Sequence, residues 1–351
     1  MEHVHKNILE IDGIKIGLNY PCYIIAEIGI NHNGELDLAK KLIDAAVNSG
    51  ANAVKFQKRN IESLYTQQVL ENPNLENQGT EILIDVLREV EFNEKEYVTL
   101  VDYCSEKKIT FLCTAWDIPS VDFLEKIHIT AYKISSADMT NFPLIKYISK
   151  TKKPMIISSG MSTMDEIEKT VIFIKNLNIP FVLLHSNSTY PSPIELLNLN
   201  LIPVLREKFQ IPIGYSGHEQ TIIPSVTATN LGAVIIERHI TLDKTMKGLD
   251  QTASLEPDEF KILVSFIRES EKSKGNSIKK MTRGEILQRE VLGKGIICNL
   301  DIKKGDTFTE DNIILKSPFR GISPQYYYDF MEKKSLRDIK KGEYLQLDDL
   351  Q

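Results

Sequence analysis

Cysteine is scarce in this chain and scattered. Cys22, Cys104, Cys113 and Cys298 form no C-x-x-C pair, which argues against a disulfide framework or a cysteine-rich zinc site. No apolar run reaches the roughly 18 residues that a membrane-crossing helix needs. The first residues, MEHVHKNILEIDG, lack the apolar core of a secretion signal, so a soluble, cytoplasmic protein is expected. Charge of one sign is missing too. The 42 Lys+Arg residues stand against 48 Asp+Glu, a net charge of −6, so there is no general surface for a polyanion and nucleic acid is not an expected partner. A local basic pocket for a small anion stays open. What the chain does have is 351 residues, 42% of them hydrophobic and 26% charged. That suits a folded protein of about two domains, at roughly 150 residues each.

From about residue 20 a short apolar run is followed by a longer segment of helical spacing, again and again. The runs fall at 23–26, 53–56, 109–112, 131–134, 155–157, 181–184, 211–213 and 233–236. Helices are expected at 37–48, 94–107, 120–126, 164–176, 193–208 and 221–231. The polar stretch from Asn60 to Gly79 reads as a long inserted loop. Eight β–α alternations imply a parallel sheet with helices outside, either an open doubly wound sheet or a closed (β/α)8 barrel.

Polar residues after the runs favour closure. They include Glu27, Lys55 with Gln57, Thr114, Lys133 with Ser135 and Ser136, Ser158, His185 with Ser188, Ser216 with His218, and Glu237 with His239. A barrel gathers such residues at one mouth, where barrel enzymes do chemistry, whereas an open sheet strings them along a line. The expectation is therefore an α/β TIM barrel over residues 1–280, then a small β-rich domain over 290–351. Glu269 to Arg289 reads as a charged linker. In the tail, Asp-Ile-Lys-Lys-Gly occurs at 301–305 and again at 338–342, an internal repeat whose Lys-Lys-Gly element reads as a tight turn.

Three constellations can carry chemistry. Glu27 in Glu27-x-Gly29-x-Asn31-His32-Asn33-Gly34 is either an acid or base at the mouth or part of a capped helix start. His218 and His239 follow neighbouring strands, about 4.8 Å apart. They either hold a divalent cation with open positions for substrate or make separate hydrogen bonds. Lys55 and Lys133 lie in or just beyond apolar strands, where a lysine is costly without a fixed anion. Hydroxyls at Thr114, Ser136, Ser158, Ser188 and Ser216 match the acceptor oxygens of a phosphate. Any one of these hydroxyls alone reads better as a helix cap, but the set with two lysines favours an anion. Strand lysines also raise a Schiff-base aldolase as a rival.

The segments AEIGINHNG, KFQ, YKISSADMTNFPLI, ISSGMST, STYPSP, IGYSGHE and ERHITLDKTMKGLDQTASLEP resemble the sialic acid synthase family, and the tail is similar to that family's antifreeze-like domain. The resemblance implies condensation of phosphoenolpyruvate with an N-acetylmannosamine-type sugar, free or 6-phosphorylated. Related legionaminic or pseudaminic acid synthases are the alternative. It assigns acid/base work to Glu27 and a manganese or magnesium ion to His218 and His239. Phosphoenolpyruvate contacts fall on Lys55, Thr114, Lys133, Ser136, Ser158, Ser188 and Ser216. Ser188 stands where many bacterial members have asparagine. Sugar contacts fall on Asp138, which replaces a glutamate of some members, and on Tyr190 and Asp250. The resemblance further implies a domain-swapped homodimer in which one tail covers the partner's barrel mouth. The tail arginine of bacterial members aligns with Ser317, so Arg320, or else Lys316, is the expected substitute for sugar contact.

Overall fold

The structure is a computed structural model and describes residues 8–71 and 80–350. The strands are β1 (Leu9–Ile11), β2 (Ile14–Ile16), β3 (Tyr23–Gly29), β4 (Ala53–Lys58), β5 (Thr110–Ala115), β6 (Tyr132–Ile134), β7 (Met155–Ser158), β8 (Phe181–Ser186), β9 (Ile213–Gly217), β10 (Ile235–His239), β11 (Gly295–Cys298) and β12 (Ile313–Lys316). Strands β3 to β10 pair in parallel, each with the next, and β10 closes on β3. The closed barrel is the one favoured by the polar strand ends.

Period-two alternation explains both layers of the core. In β3, Tyr23 and Ile25 point into the barrel, and Glu27 continues that inward row toward the mouth. Ile24, Ala26 and Ile28 point out to the helices. The inner cluster is completed at its lower end by Leu9, Ile11 and Ile16 of the β1–β2 hairpin, which the apolar pattern did not reveal. Helices at Leu36–Ser49, Glu94–Lys107, Met164–Leu177 and Pro257–Ser273 bury Leu42, Leu100, Val171 and Phe260 against the outer face. Reciprocal caps open the helices at Glu94–Lys107 and Met164–Leu177, Asn93 with Glu96 and Thr163 with Glu166.

Four expectations about elements change. The helix expected at 193–208 is a short turn at Ile194–Leu196 and a helix at Leu201–Phe209, with Asn198 between them in the left-handed region. The loop expected from Asn60 contains short helices at Ile61–Leu64 and Gln67–Glu71, and its part at 72–79 lies outside the described residues. A helix at Phe142–Ser149, opened by Asn141 and a proline in its first turn, was not expected. The linker is largely helical, because one helix runs to Ser273 and another spans Arg283–Leu292 behind a Thr282–Glu285 capping box.

The chain divides into two compact units, residues 1–275 and 276–351, so the helix at Arg283–Leu292 belongs to the second. Within that second unit the repeat pairs with itself. Ile302 and Ile339 exchange both backbone hydrogen bonds, at 2.8 and 2.7 Å. Asp301 accepts from the Lys341 backbone N–H, and Asp338 accepts from that of Lys304, at 2.9 and 2.8 Å. Each Lys-Lys-Gly turn closes alike: Asp306 N donates to Lys303 O at 2.9 Å and Glu343 N to Lys340 O at 3.0 Å. Ile296, Phe308, Ile313, Phe330 and Leu345 form the core of this unit.

Candidate active site

A cavity opens where the barrel strands end. Its volume is about 210 Å³. Eleven expected residues line it: Glu27, Lys55, Thr114, Lys133, Ser136, Ser158, Ser188, Tyr190, Ser216, His218 and His239. Strand register explains the convergence. Glu27 pairs with His239 on one side and Lys55 on the other, Thr114 pairs with Lys133, and Glu237 pairs with Ser216.

Four charged side chains form the floor. Lys55 Nζ lies 2.7 Å from Glu27 Oε2 and 3.7 Å from Glu237 Oε1. Lys133 Nζ lies 3.2 Å from the same Glu237 oxygen, to which Ser216 Oγ also donates at 3.2 Å. All four are buried. Glu237, which the sequence showed only as one polar strand end among many, is thus the shared partner of both lysines. Burial pushes the Glu27 carboxyl above its usual range; Lys55 opposes the rise and Glu237 adds to it. Burial acts the same way on Glu237, but the combined pull of Lys133 and Lys55 wins and holds it low. For Lys55, the two carboxylates outweigh burial and raise the ammonium. For Lys133 burial prevails over Glu237 and lowers it.

Beside this floor is a wall of hydroxyls. Ser136 Oγ and Ser186 Oγ lie 3.3 Å apart, the Gly160 N–H donates to Ser186 Oγ at 3.1 Å, and the buried Ser158 Oγ has no partner. A Cβ at Gly160 would sit 2.1 Å from Ser188 Oγ and 2.7 Å from Ser136 Oγ, so only glycine leaves this cradle open.

The two histidine rings lie with centroids 5.6 Å apart and their planes tilted by 51°. His218 Nδ1 lies 2.6 Å from the Asn187 carbonyl. A carbonyl only accepts, so Nδ1 carries the proton and Nε2 offers its lone pair, to which the Tyr190 hydroxyl donates at 2.8 Å. His239 Nδ1 is buried without a hydrogen-bond partner, 3.8 Å from Asp250 Oδ2. Burial, reinforced by His239, holds the His218 imidazole down at about 3, and burial lowers His239 as well, against Asp250. Neutral imidazoles with one orphaned nitrogen suit a divalent cation. Among the described residues no group of three or more His, Cys, Asp or Glu side chains stands ready to hold one, so a cation on this pair would keep open positions.

The NeuB family model matches residues 42–279. The chain belongs to the NeuB family. A SAF domain model matches residues 295–351. The chain is 38% identical over 329 residues to the N,N'-diacetyllegionaminic acid synthase of Campylobacter jejuni, covering 92% of this chain and 98% of that one. It is equally 38% identical to the N-acetylneuraminate-9-phosphate synthase of Mus musculus, over 93% of this chain and 92% of that one. Among solved structures, the N-acetylneuraminic acid synthetase of Leptospira borgpetersenii is 35% identical, with a TM-score of 0.72, over 81% of this chain and 95% of that one. Relatives of this kind support a nonulosonic acid synthase, an enzyme of carbohydrate biosynthesis. No helix among the described residues is long and apolar enough to cross a membrane.

The remaining expected NeuB residues lie elsewhere. Asp138 is buried off the cavity wall, its oxygens taken by Ser135 and Asn141, each at 2.9 Å. Asp250 approaches His239 without lining the cavity. Arg320 and Lys316 are exposed on the second unit. Sequence reasoning assigned no site role to Gln57, Trp116, Met161 or Glu237, all of which line the cavity. Gln57 Nε2 donates to Glu27 Oε1 at 2.8 Å and Arg59 donates to Gln57 Oε1, so the amide is oriented from behind. For Gln57 and Glu237 the inward parity of their strands was the available signal; Trp116 and Met161 lie in loops that carry no such parity.

Proposed function

We propose that this protein condenses phosphoenolpyruvate with an N-acetylmannosamine-type amino sugar, forming a nine-carbon 2-keto acid sugar and releasing phosphate. The observation that carries the reading is the cavity floor, where two buried lysines and a ring of hydroxyls stand beside the histidine pair. Lys55 and Lys133, with Thr114, Ser136, Ser158, Ser188 and Ser216, bind and orient the carboxylate and phosphate of phosphoenolpyruvate. A manganese or magnesium ion on His218 and His239 would act as a Lewis acid toward the sugar aldehyde. Tyr190 yields His218 Nε2 and turns toward the sugar. Carbon 3 of phosphoenolpyruvate bonds to the aldehyde carbon, water adds at carbon 2, and the C–O bond to phosphate breaks. Glu27, raised by burial and held by Gln57 and Lys55, keeps or passes the proton at the new hydroxyl.

A lysine aldolase is favoured by one observation, the lowered ammonium of Lys133. Its 3.2 Å contact with Glu237 works against loss of that proton. The reading includes a homodimer in which one tail covers the partner's mouth. It is supported by the exposed apolar residues Ile286, Leu287, Val291 and Leu292 on the helix at Arg283–Leu292, which buries none of its residues. A panel of amino sugars, free and 6-phosphorylated, incubated with phosphoenolpyruvate and manganese while phosphate release is followed tests the function. Release with no sugar of the panel would refute it.

A further inference from the structure

We propose that the Glu219–Arg238 ion pair is a clamp that sets the spacing of His218 and His239, and through it the affinity for a divalent cation. The inference rests on the two-histidine cation site of the function proposed above. Each member of the pair is the chain neighbour of one histidine. In β10 the side chains alternate, so Glu237 and His239 turn to the cavity and Arg238 turns to the outer face. That face is normally apolar in a barrel, yet Arg238 and Glu219 are both fully buried there.

Arg238 Nη1 donates to Glu219 Oε1 at 2.9 Å, to the Thr221 carbonyl at 2.8 Å and to Ser225 Oγ at 3.0 Å. Its Nη2 donates to the Glu219 carbonyl. Tyr215, from β9, donates to Glu219 Oε2 at 2.8 Å. The guanidinium therefore fastens the segment after His218, both by side chain and by main chain, to the strand that carries His239. Gly217 is part of the fit: a Cβ there would lie 2.6 Å from Glu219 Oε2 and 2.7 Å from the Tyr215 ring. A buried ion pair is weak as a source of stability but strong as a geometric constraint, because its partners have no water to turn to. Arg238 and Glu219 do not line the cavity and act as positioning residues.

The test is Mn²⁺ binding to the full chain, followed by quenching of Trp116, the single tryptophan, which lines the cavity. Arg238→Lys keeps the charge but not the fork of donors, and Tyr215→Phe removes one bond to Glu219. Partners that orient metal ligands contribute about 10- to 100-fold in affinity. Arg238→Lys should weaken Mn²⁺ binding by about that factor, and Tyr215→Phe by less. The pair Glu219→Leu with Arg238→Met should melt close to the wild-type protein yet bind Mn²⁺ as weakly as Arg238→Lys. If the double variant does not fold, the two single variants decide. Wild-type affinity in Arg238→Lys overturns the clamp. If the wild-type protein itself binds no Mn²⁺, the cation reading falls, and the clamp is judged from a crystal structure of Arg238→Lys. Imidazole centroids still 5.6 Å apart would overturn it, and a changed separation would uphold it.

Discussion

Replacing Glu237 with Gln removes the one carboxylate within 4 Å of Lys133 among the described residues, while Lys55 keeps Glu27 at 2.7 Å. Two effects follow. Breaking a buried ion pair from one side costs about 3–5 kcal/mol. In a unit of this size that lowers the melting temperature by on the order of 10 °C. The second effect is electrostatic. Burial already lowers the Lys133 ammonium, and Glu237 is the largest influence opposing it. Without Glu237 the ammonium falls further, so its charge is present only at lower pH. A lysine binds an anion below its pKa and lets go above it. Phosphoenolpyruvate affinity in Glu237→Gln should therefore weaken as pH rises from 6 to 9, by the one to two decades that a charge-assisted contact of about 1.5–3 kcal/mol represents. The wild-type protein should show a flatter profile. Trp116 fluorescence gives the affinities, and thermal unfolding followed by circular dichroism gives the stability. A variant that melts with the wild-type protein and shares its pH profile would refute the account of the floor.

Acid should destabilise the protein through its buried histidines. His32, stacked on Phe92, and His218 are both held down at about 3 by burial, against an ordinary 6.5. The unfolded chain takes up these protons first, so stability is complete above about pH 6.5 and is lost as pH falls toward 3. At pH 5 each histidine accounts for roughly 2 kcal/mol, visible as a lower urea midpoint than at pH 7. Borohydride added with phosphoenolpyruvate or sugar should leave no adduct by mass spectrometry; a reduced imine on Lys133 would favour the aldolase. Arg320→Ala should raise the KM for the sugar and leave that for phosphoenolpyruvate unchanged, and if Lys316→Ala does so instead, the tail cation has been misassigned.

The barrel was legible because its strands are buried on both faces. Tyr23 to Ala26 or Phe181 to Leu184 read as unbroken apolar runs, and all eight expected runs overlap a barrel strand. The β1–β2 hairpin was not legible, since three-residue strands such as Ile14–Ile16 carry too little pattern. The helix at Phe142–Ser149 is too short to show a period. Charge density made Glu269 to Arg289 look like a linker, although propensity and a capping box are enough to make helix there. In the site, residue types announced the lysines, histidines and hydroxyls. What they did not announce was pairing. That one Glu237 oxygen serves two lysines, or that Asp138 spends its oxygens on Ser135 and Asn141, depends on distances across the barrel that no local spacing encodes.

The self-paired repeat of the tail has a consequence for how that unit comes apart. Gly342 N donates to Cys298 O and, 37 positions earlier, Gly305 N donates to Ser335 O, both at 2.8 Å. Phe308 N donates to Lys333 O and Leu345 N to Ile296 O, both at 2.9 Å. These bonds run from one copy's half of the unit to the other's, as in a two-fold dimer whose subunits have been tied into a single thread. A copy on its own would keep its turn and lose its partners, and at under 40 residues it has no core to fall back on. Damage to either copy therefore strips the other of these cross-copy bonds, and the helical stretch that joins them is itself tied in, since Tyr327 donates to the Ile313 carbonyl at 3.4 Å and Phe330 is buried in the shared core.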